Sequence, residues 1–260
     1  NFAHGDFIMI GAYTLFYTIP LMVDAGMPAW MAVIVAVAVC ALVGVLVEIL
    51  AYRPVRKAGP MSALITALAM SIFLENLAMV LFGAKPHNVQ AIFSLPTITV
   101  GGVSLPLNVL LTIGIGVAMM LCMQLFVKKT KLGKAMRAVS EDKAAAQLMG
   151  INVNRTISMT FAIGSALAAI AGVLLCSYSP VLQPTTGAMP GIKAFDAAVF
   201  GGIGSIPGAF VGGILIGIIE AMAQAYISTS LANSIVFGVL IIVLLVKPAG
   251  LLGKYVPEKV

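Results

Sequence analysis

Long apolar runs, each close to the length of a membrane crossing, alternate along the chain with short polar or glycine- and proline-rich breaks. A spanning helix needs about 20 mainly apolar residues. Runs of this kind occupy residues 7–22, 29–50, 61–82, 105–127, 156–176, 209–227 and 234–246, the first and last being short. A weaker run, 191–204, carries Lys193 and Asp196. The breaks are Asp24-Ala25-Gly26-Met27-Pro28, the Arg53–Pro60 linker, and a longer stretch over 83–106. Within that stretch, alternation from Ile98 to Leu105 around Gly101-Gly102 fits a small hairpin or a plain loop.

The basic residues orient this pattern. Arg53, Arg56 and Lys57 share one break, and Lys128, Lys129, Lys131, Lys134, Arg137, Lys143 and Arg155 share a second. Lys247, Lys254 and Lys259 lie in the tail, which leaves only Lys85 and Lys193 outside these three regions. Basic loops stay on the cytoplasmic side. All three regions reach that side only if 191–204 crosses as a short or broken helix, because otherwise the tail lands outside. The expectation is therefore an all-α polytopic transmembrane helix bundle of about eight segments, a single transmembrane domain over 1–260 with a cytoplasmic C-terminus. A further helix is expected before Asn1, because the chain opens on Asn1-Phe2-Ala3-His4-Gly5-Asp6 rather than on an initiator Met.

Composition sharpens the picture by exclusion. Charged residues make up 9% of the chain and hydrophobic ones 61%, whereas a soluble domain carries about 25% charged residues. Such a chain cannot cover a water-facing surface, so soluble enzymes, nucleic-acid-binding domains and disordered chains are excluded; the net charge of +6 belongs to topology, not to DNA. Cys40, Cys122 and Cys176 lie in apolar runs and read as small core residues. No P-loop, zinc spacing or nucleophile elbow occurs, so neither catalysis, cofactor nor metal is expected.

Four features depart from a generic bundle. Residues 128–155 form the longest soluble piece. Ser140 suits an N-cap, Glu141 and Asp142 a first turn, and Gly150 a C′ position, which predicts a short helix over 141–149. Upstream, Leu132, Met136 and Val139 share one face. This stretch reads as a basic loop near anionic lipid or as a docking helix, with Leu148 and Met149 as anchors and Ala144, Ala145, Ala146 and Gly150 permitting close approach. Second, Gly204, Gly208 and Gly212 recur every fourth residue and Gly213 with Gly217 adds another GxxxG, the spacing of tight helix packing; Pro207 suggests a bend. Third, Asn1, His4 and Asp6 are polar groups placed at a break inside the bundle if a helix precedes them. Fourth, the acids Glu48, Glu75, Asp196 and Glu220 lie within spans, where each costs about 2.5–3.5 kcal/mol unless it faces protein or water. Glu48 reads as interfacial. Glu75, beside Asn76, and Glu220 are deeper, and either line a path or bond a neighbouring helix.

Several of these pieces together resemble a known family. Asn1-Phe2-Ala3-His4-Gly5, Ala51-Tyr52-Arg53-Pro54-Val55-Arg56, Met70-Ser71-Ile72-Phe73-Leu74, Leu148-Met149-Gly150-Ile151-Asn152 and Gly201-Gly202-Ile203-Gly204-Ser205-Ile206-Pro207-Gly208-Ala209 are similar to the LivH-type permease subunits of branched-chain amino acid ABC importers. The resemblance implies a second, LivM-type permease subunit, two cytosolic ABC ATPase subunits and an extracytoplasmic amino-acid-binding protein as partners, in a bacterial or archaeal inner membrane with its lipid. It implies that 128–155 is the coupling region, contacting the ATPases through Glu141, Ala145, Ala146, Leu148, Met149 and Gly150. Ala145-Ala146 followed by Gly150 is similar to the EAA-x-x-x-G loop of ABC importers, with Ala144 where the acid would stand. Asn1, His4, Glu75 and Asn76 are the polar candidates for the translocation path, and alternating access is the mechanism that follows. The rivals are the same architecture carrying urea, amides or other amino acids, an ion-coupled transporter using Glu75 and Glu220, and a membrane protein with no path.

Overall fold

The computed structural model describes residues 2–90, 92, 96–100 and 102–253. Apolar helices fill nearly all of the expected runs. They are α1 (His4–Asp24), α2 (Met31–Val47), α4 (Pro60–Phe82), α5 (Leu107–Lys129), α8 (Val153–Tyr178), α9 (Ala188–Gly201), α10 (Ile206–Tyr226) and α11 (Ala232–Val246). A single turn, α3 (Arg53–Val55), follows α2, and two short helices, α6 (Lys131–Glu141) and α7 (Lys143–Leu148), precede α8. Six helices are long and apolar enough to cross a bilayer, counting α2 with its extension to Val55. At 14 residues α9 is too short to cross alone, and it ends three residues before the expected limit. Hydroxyls within the spans bond back to carbonyls one turn earlier, as Thr14 does to Ile10 (2.8 Å) and Thr160 to Thr156 (2.8 Å), so these polar groups are satisfied without water.

The α2 run does not end as a plain α-helix. Glu48–Tyr52 winds as one π-helical turn before α3. A π-bulge inserts a residue and turns the following side chains toward a new face. Here it directs Arg53 and Arg56 back over Glu48.

The chain forms two contact-dense units. The first, Asn1–Met119 with Leu125–Gly191, is built on α1, α2 and α8. In lipid no hydrophobic force draws helices together, so close approach depends on small side chains. A Cβ on Gly172 of α8 would stand 2.5 Å from the Ile8 carbonyl oxygen of α1, and one on Gly11 of α1 would stand 2.8 Å from Ala169 Cα. Around these contacts Phe7, Ile8, Val47 and Ala168 form one buried cluster, and Met9, Tyr13, Leu15, Ile19 and Leu182 belong to another. Tyr13 stacks on Phe82 with ring centroids 4.5 Å apart.

Among the described residues, two two-stranded sheets lie outside the spans. β2 (Thr97–Val100) pairs antiparallel with β3 (Val103–Pro106), which realises the hairpin alternative; Gly101 itself is outside the described residues. β1 (His87–Asn88) pairs with β4 (Val181–Leu182). That pairing joins the segments after α4 and α8, which the charge pattern assigns to the same side. Exposed Trp30, before α2, and Tyr178, at the end of α8, sit where interfacial aromatics anchor helices.

The second unit, Met120–Gln124 with Ile192–Val260, packs α10 against α11 around Ala197, Phe200, Ile216 and Val236. Its tail returns to the end of α9, where Leu251 and Leu252 amides donate to the Phe200 and Gly201 carbonyls at 2.9 Å each. The end of α9 and the start of the tail therefore lie together.

Candidate functional site

Three polar constellations interrupt the apolar bundle. The first is at the basic end of the first unit. Thr130 caps α6 by accepting from the Gly133 amide at 3.0 Å. The next helix starts at Asp142, not at Ser140: Asp142 is extended (φ −153°, ψ 113°) and its Oδ1 accepts from Ala144 and Ala145 amides at 2.8 and 3.0 Å. The expected helix over 141–149 is thus corrected to Lys143–Leu148. Ser140 instead donates to the Arg137 carbonyl inside α6, and Glu141 is the last residue of that helix. The carboxylate won over the hydroxyl because it receives two amides at once.

Gly150 does occupy a helix-terminating position, with φ +78°, a left-handed conformation that suits glycine. Ala146 is buried, and Val139, Leu132 and Met136 turn their shared face inward. Ala145 is exposed, and Leu148 and Met149 are 89% and 81% exposed. Two adjacent large apolar side chains pointing away from the protein, on a helix outside the spans, form an anchor without its socket.

Immediately below lies a charged hub. Glu48, expected near the cytoplasmic interface, is fully buried within the protein. Its carboxylate accepts from Arg53 (3.1 Å), from Ser158 (2.5 Å) and from Arg56. Arg56 also donates to Asn154 Oδ1 at 2.6 Å, and Arg53 to Ser158 at 2.9 Å. The hub joins the end of α2, the α3 turn and the start of α8. A buried carboxylate is tolerable only when so paired. Beside it opens a cleft of about 680 Å³ lined by Arg56, Lys57, Lys143, Gln147, Asn152 and Asn154 among others, with no acid in its lining.

The second constellation is at the start of α1. His4 packs on Gly164, where a Cβ would stand 3.1 Å from its ring, and meets Phe7 edge-on at 5.9 Å. Gly164 lies midway along α8, so the start of α1 packs at mid-span. Its first turn also meets the first turn of α9, where a Cβ on Gly191 would stand 2.7 Å from Gly5 Cα. Asp6 is 1% exposed, and its Oδ2 has no hydrogen-bond partner among the described residues; Ser71 and Glu75 of α4 are the groups that interact with it. Asn76 is exposed and donates to the Ile72 carbonyl of its own helix at 2.7 Å. Asn1 lies outside the described residues. One turn further along the same helices, Met9, Ile10, Tyr13, Leu74, Ala78 and Phe82 contribute to an apolar cleft of about 350 Å³.

The third constellation is in the second unit. Lys193 donates to Glu220 at 2.7 Å, with side chains only 25% and 21% exposed, and Gln224 donates to the same oxygen at 3.0 Å. Two of the in-span charges thus satisfy each other. The expected glycine ridge shortens. Gly208 and Gly212 do pack closely, a Cβ on them standing 2.5 Å from the Gly201 carbonyl oxygen and 3.0 Å from the Gly201 amide. Gly204 is in the turn before α10 with φ +91° and no neighbour within 4 Å, Gly213 meets only Ala197 Cβ at 3.7 Å, and Gly217 meets nothing within 4 Å. The fourfold spacing ran through a helix boundary, so Gly204 left the face. The counterpart that spacing missed is Gly201, on α9.

Sequence reasoning also missed the hub. Glu48, Arg53 and Arg56 are five and eight residues apart, a spacing that an α-helix scatters and a π-turn gathers. Asp6, the more buried acid at the start of α1, was passed over for His4. Of the three cysteines, Cys40 and Cys176 are buried as expected, whereas Cys122 is exposed.

A family model described as branched-chain amino acid transport system / permease component matches residues 1–245. The high-affinity branched-chain amino acid transport system permease protein LivH of Salmonella typhimurium is 41% identical, over 100% of this chain and 87% of the relative. The permease protein BraD of the corresponding system in Pseudomonas aeruginosa is 40% identical over 100% of this chain and 88% of its own. The probable permease protein LivH of Methanocaldococcus jannaschii is 30% identical over 97% and 82%. No solved structure matches. With six helices long and apolar enough to cross a membrane among the described residues and a match of this extent, the chain is a multi-pass membrane protein that belongs to the family of branched-chain amino acid transport permease components.

Proposed function

We propose that this permease subunit forms the path for branched-chain amino acids in an ATP-driven importer, working by alternating access with separate ATPase subunits. The observation that carries the coupling half of this reading is the pair Leu148 and Met149, 89% and 81% exposed at the end of α7. Such a pair outside the spans fits an apolar socket on a cytosolic partner. The basic residues around it and in the tail put both on the cytoplasmic side. The 1–260 chain acts as one permease domain, with 128–155 as its coupling region. A LivM-type second permease, two ABC ATPases and an amino-acid-binding protein delivering substrate complete the assembly.

The geometry supports a transmission route. The short helix α7 leads through Gly150 directly into α8, and α8 holds the Glu48 hub at its start and α1 at its middle. A push on α7 therefore reaches the start of α1 at mid-span through α8. His4, Glu75 and Asn76, with Asp6, remain the polar candidates there for the substrate's charged ends, and the apolar cleft beside them suits an aliphatic side chain. Pairing of Glu220 with Lys193 favours this reading over an ion-coupled one, because the pair supplies its own counter-ion.

The test is Leu148→Asp, which places a charge on the anchor without touching the fold. Uptake is expected to fall at least about tenfold, with permease abundance in the membrane unchanged. Normal uptake and normal ATPase retention by this variant would overturn the docking role. Gly150→Trp acts in the same direction but also strains the left-handed backbone, so Leu148→Asp is the cleaner probe.

A further inference from the structure

The geometry points to a second, charged contact beside the apolar anchor: the basic cleft next to α7 receives an acidic segment of the ATPase partner. This inference rests on the docking role proposed for α7.

Three cations, Arg56, Lys57 and Lys143, line the cleft, and no carboxylate does. The nearest acid on α7, Asp142, is turned to its own helix, where it caps the Ala144 and Ala145 amides. The other nearby acid, Glu48, is fully buried beneath Arg56. Glu48 offsets Arg56, which leaves Lys57 and Lys143 as the cations of the cleft without an ion pair among the described residues. Its volume of about 680 Å³ exceeds one carboxylate side chain and admits a short loop. Lys57 and Lys143 are exposed, while Arg56 is 17% exposed and fixed by Glu48 and Asn154. The floor of the cleft is therefore a preorganised guanidinium and its rim two mobile ammonium groups. Charge complementarity then assigns the partner an acidic residue or loop flanking the apolar socket for Leu148 and Met149. Because Arg56 is also a partner of Glu48, the docked acid and the buried acid share one guanidinium, which links the cleft to α2 and α8.

An anionic lipid headgroup is the rival occupant. The cleft is walled by α7 and by the loop entering α8, segments outside the spans, and it adjoins the exposed anchor, which favours a protein.

The experiment uses the whole assembly in nanodiscs, with the ATPase subunits that co-purify with the unaltered permease. Lys57→Glu combined with Lys143→Glu is expected to weaken ATPase binding about tenfold at low salt and to flatten its salt dependence, since exposed interfacial charges act mainly on association rate and salt response. Acid-to-lysine changes on the ATPase face should restore binding. If abundance falls, the Lys57→Gln, Lys143→Gln pair supplies the reading, with an intermediate weakening expected. An unchanged dissociation constant with an unchanged salt slope would overturn the inference. So would weakening seen only in phosphatidylglycerol discs and lost in phosphatidylcholine discs, which would assign the cleft to lipid. Leu148→Asp separates the two levels of the argument. If it too binds normally, or no ATPase co-purifies at all, the docking role fails; if it loses binding while the charge-reversed pair does not, only the acidic contact fails.

Discussion

Helices α5 and α8 are nearly the same kind of sequence and meet different fates. Their mean hydropathies are 2.2 and 2.1, and their lengths 23 and 26 residues. Yet α8 buries Ser165, Ala168, Ala169, Gly172, Val173 and Cys176, whereas α5 buries no residue at all. Hydropathy sends both into the bilayer but does not choose a partner there. The small residues of α8 let α1 and α2 approach to backbone contact, whereas Gly114, Ala118 and Cys122 of α5, also spaced every fourth residue, are exposed. Small residues thus permit close packing where a partner helix meets them, and hydropathy alone does not supply that partner.

The largest expected break in this comparison is electrostatic. The packed trio also closes over Glu48, which α5 has nothing to match. Glu48→Ala would leave Arg56, 17% exposed, and Arg53, 37% exposed, without their carboxylate. Removing one partner of a buried pair costs about 3–5 kcal/mol, and the access of Arg53 to solvent puts this case at the lower end, about 3 kcal/mol. Thermal unfolding in detergent is expected to show that loss, with Glu48→Asp recovering part of it. A variant as stable as the parent would mean that the arginines find other partners.

Next comes the small-residue stripe itself. Gly172→Leu drives a side chain into the Ile8 carbonyl, a backbone atom that cannot swing aside. Overpacking costs about 1–3 kcal/mol, and a backbone obstacle places this at the upper end. Gly114→Leu on α5 meets open space and is expected to change stability by no more than about 0.5 kcal/mol. Measured side by side, equal effects would erase the distinction between the helices.

The same contrast explains what could be read in advance. Eight apolar segments and their limits followed from hydropathy, because lipid demands helices of a set length. Counting lysines assigns the tail a side, and the Leu251–Phe200 bond brings the tail beside the end of α9. Local details turned on competition between neighbours: Asp142 displaced Ser140 as a cap, and Gly204 fell into a turn one residue before Ser205 begins to cap α10. The charged hub was illegible because the π-turn that builds it has no fixed period. The polar group at mid-span was half legible: His4 and Glu75 were singled out, while the burial of Asp6 depends on α4 and on helix contacts distant in sequence.

The smallest effect lies in the second unit, where charge rather than small size holds two helices. Lys193 and Glu220 are each about three-quarters buried. Lys193→Met leaves Glu220 with only Gln224, and Glu220→Gln leaves Lys193 with a neutral partner; the double variant removes both charges together. Polar contacts between membrane helices average about 0.6 kcal/mol in double-mutant cycles and reach about 1.7 kcal/mol. A coupling of about 1 kcal/mol is therefore expected, with the double variant less destabilised than the sum of the two single losses by that amount. Zero coupling would make the pair incidental and leave the Gly201–Gly208 contact to hold α9 on α10. A coupling well above that range would mean that charge pairing rivals small-residue packing, and the lesson drawn from α5 and α8 would apply to the first unit alone.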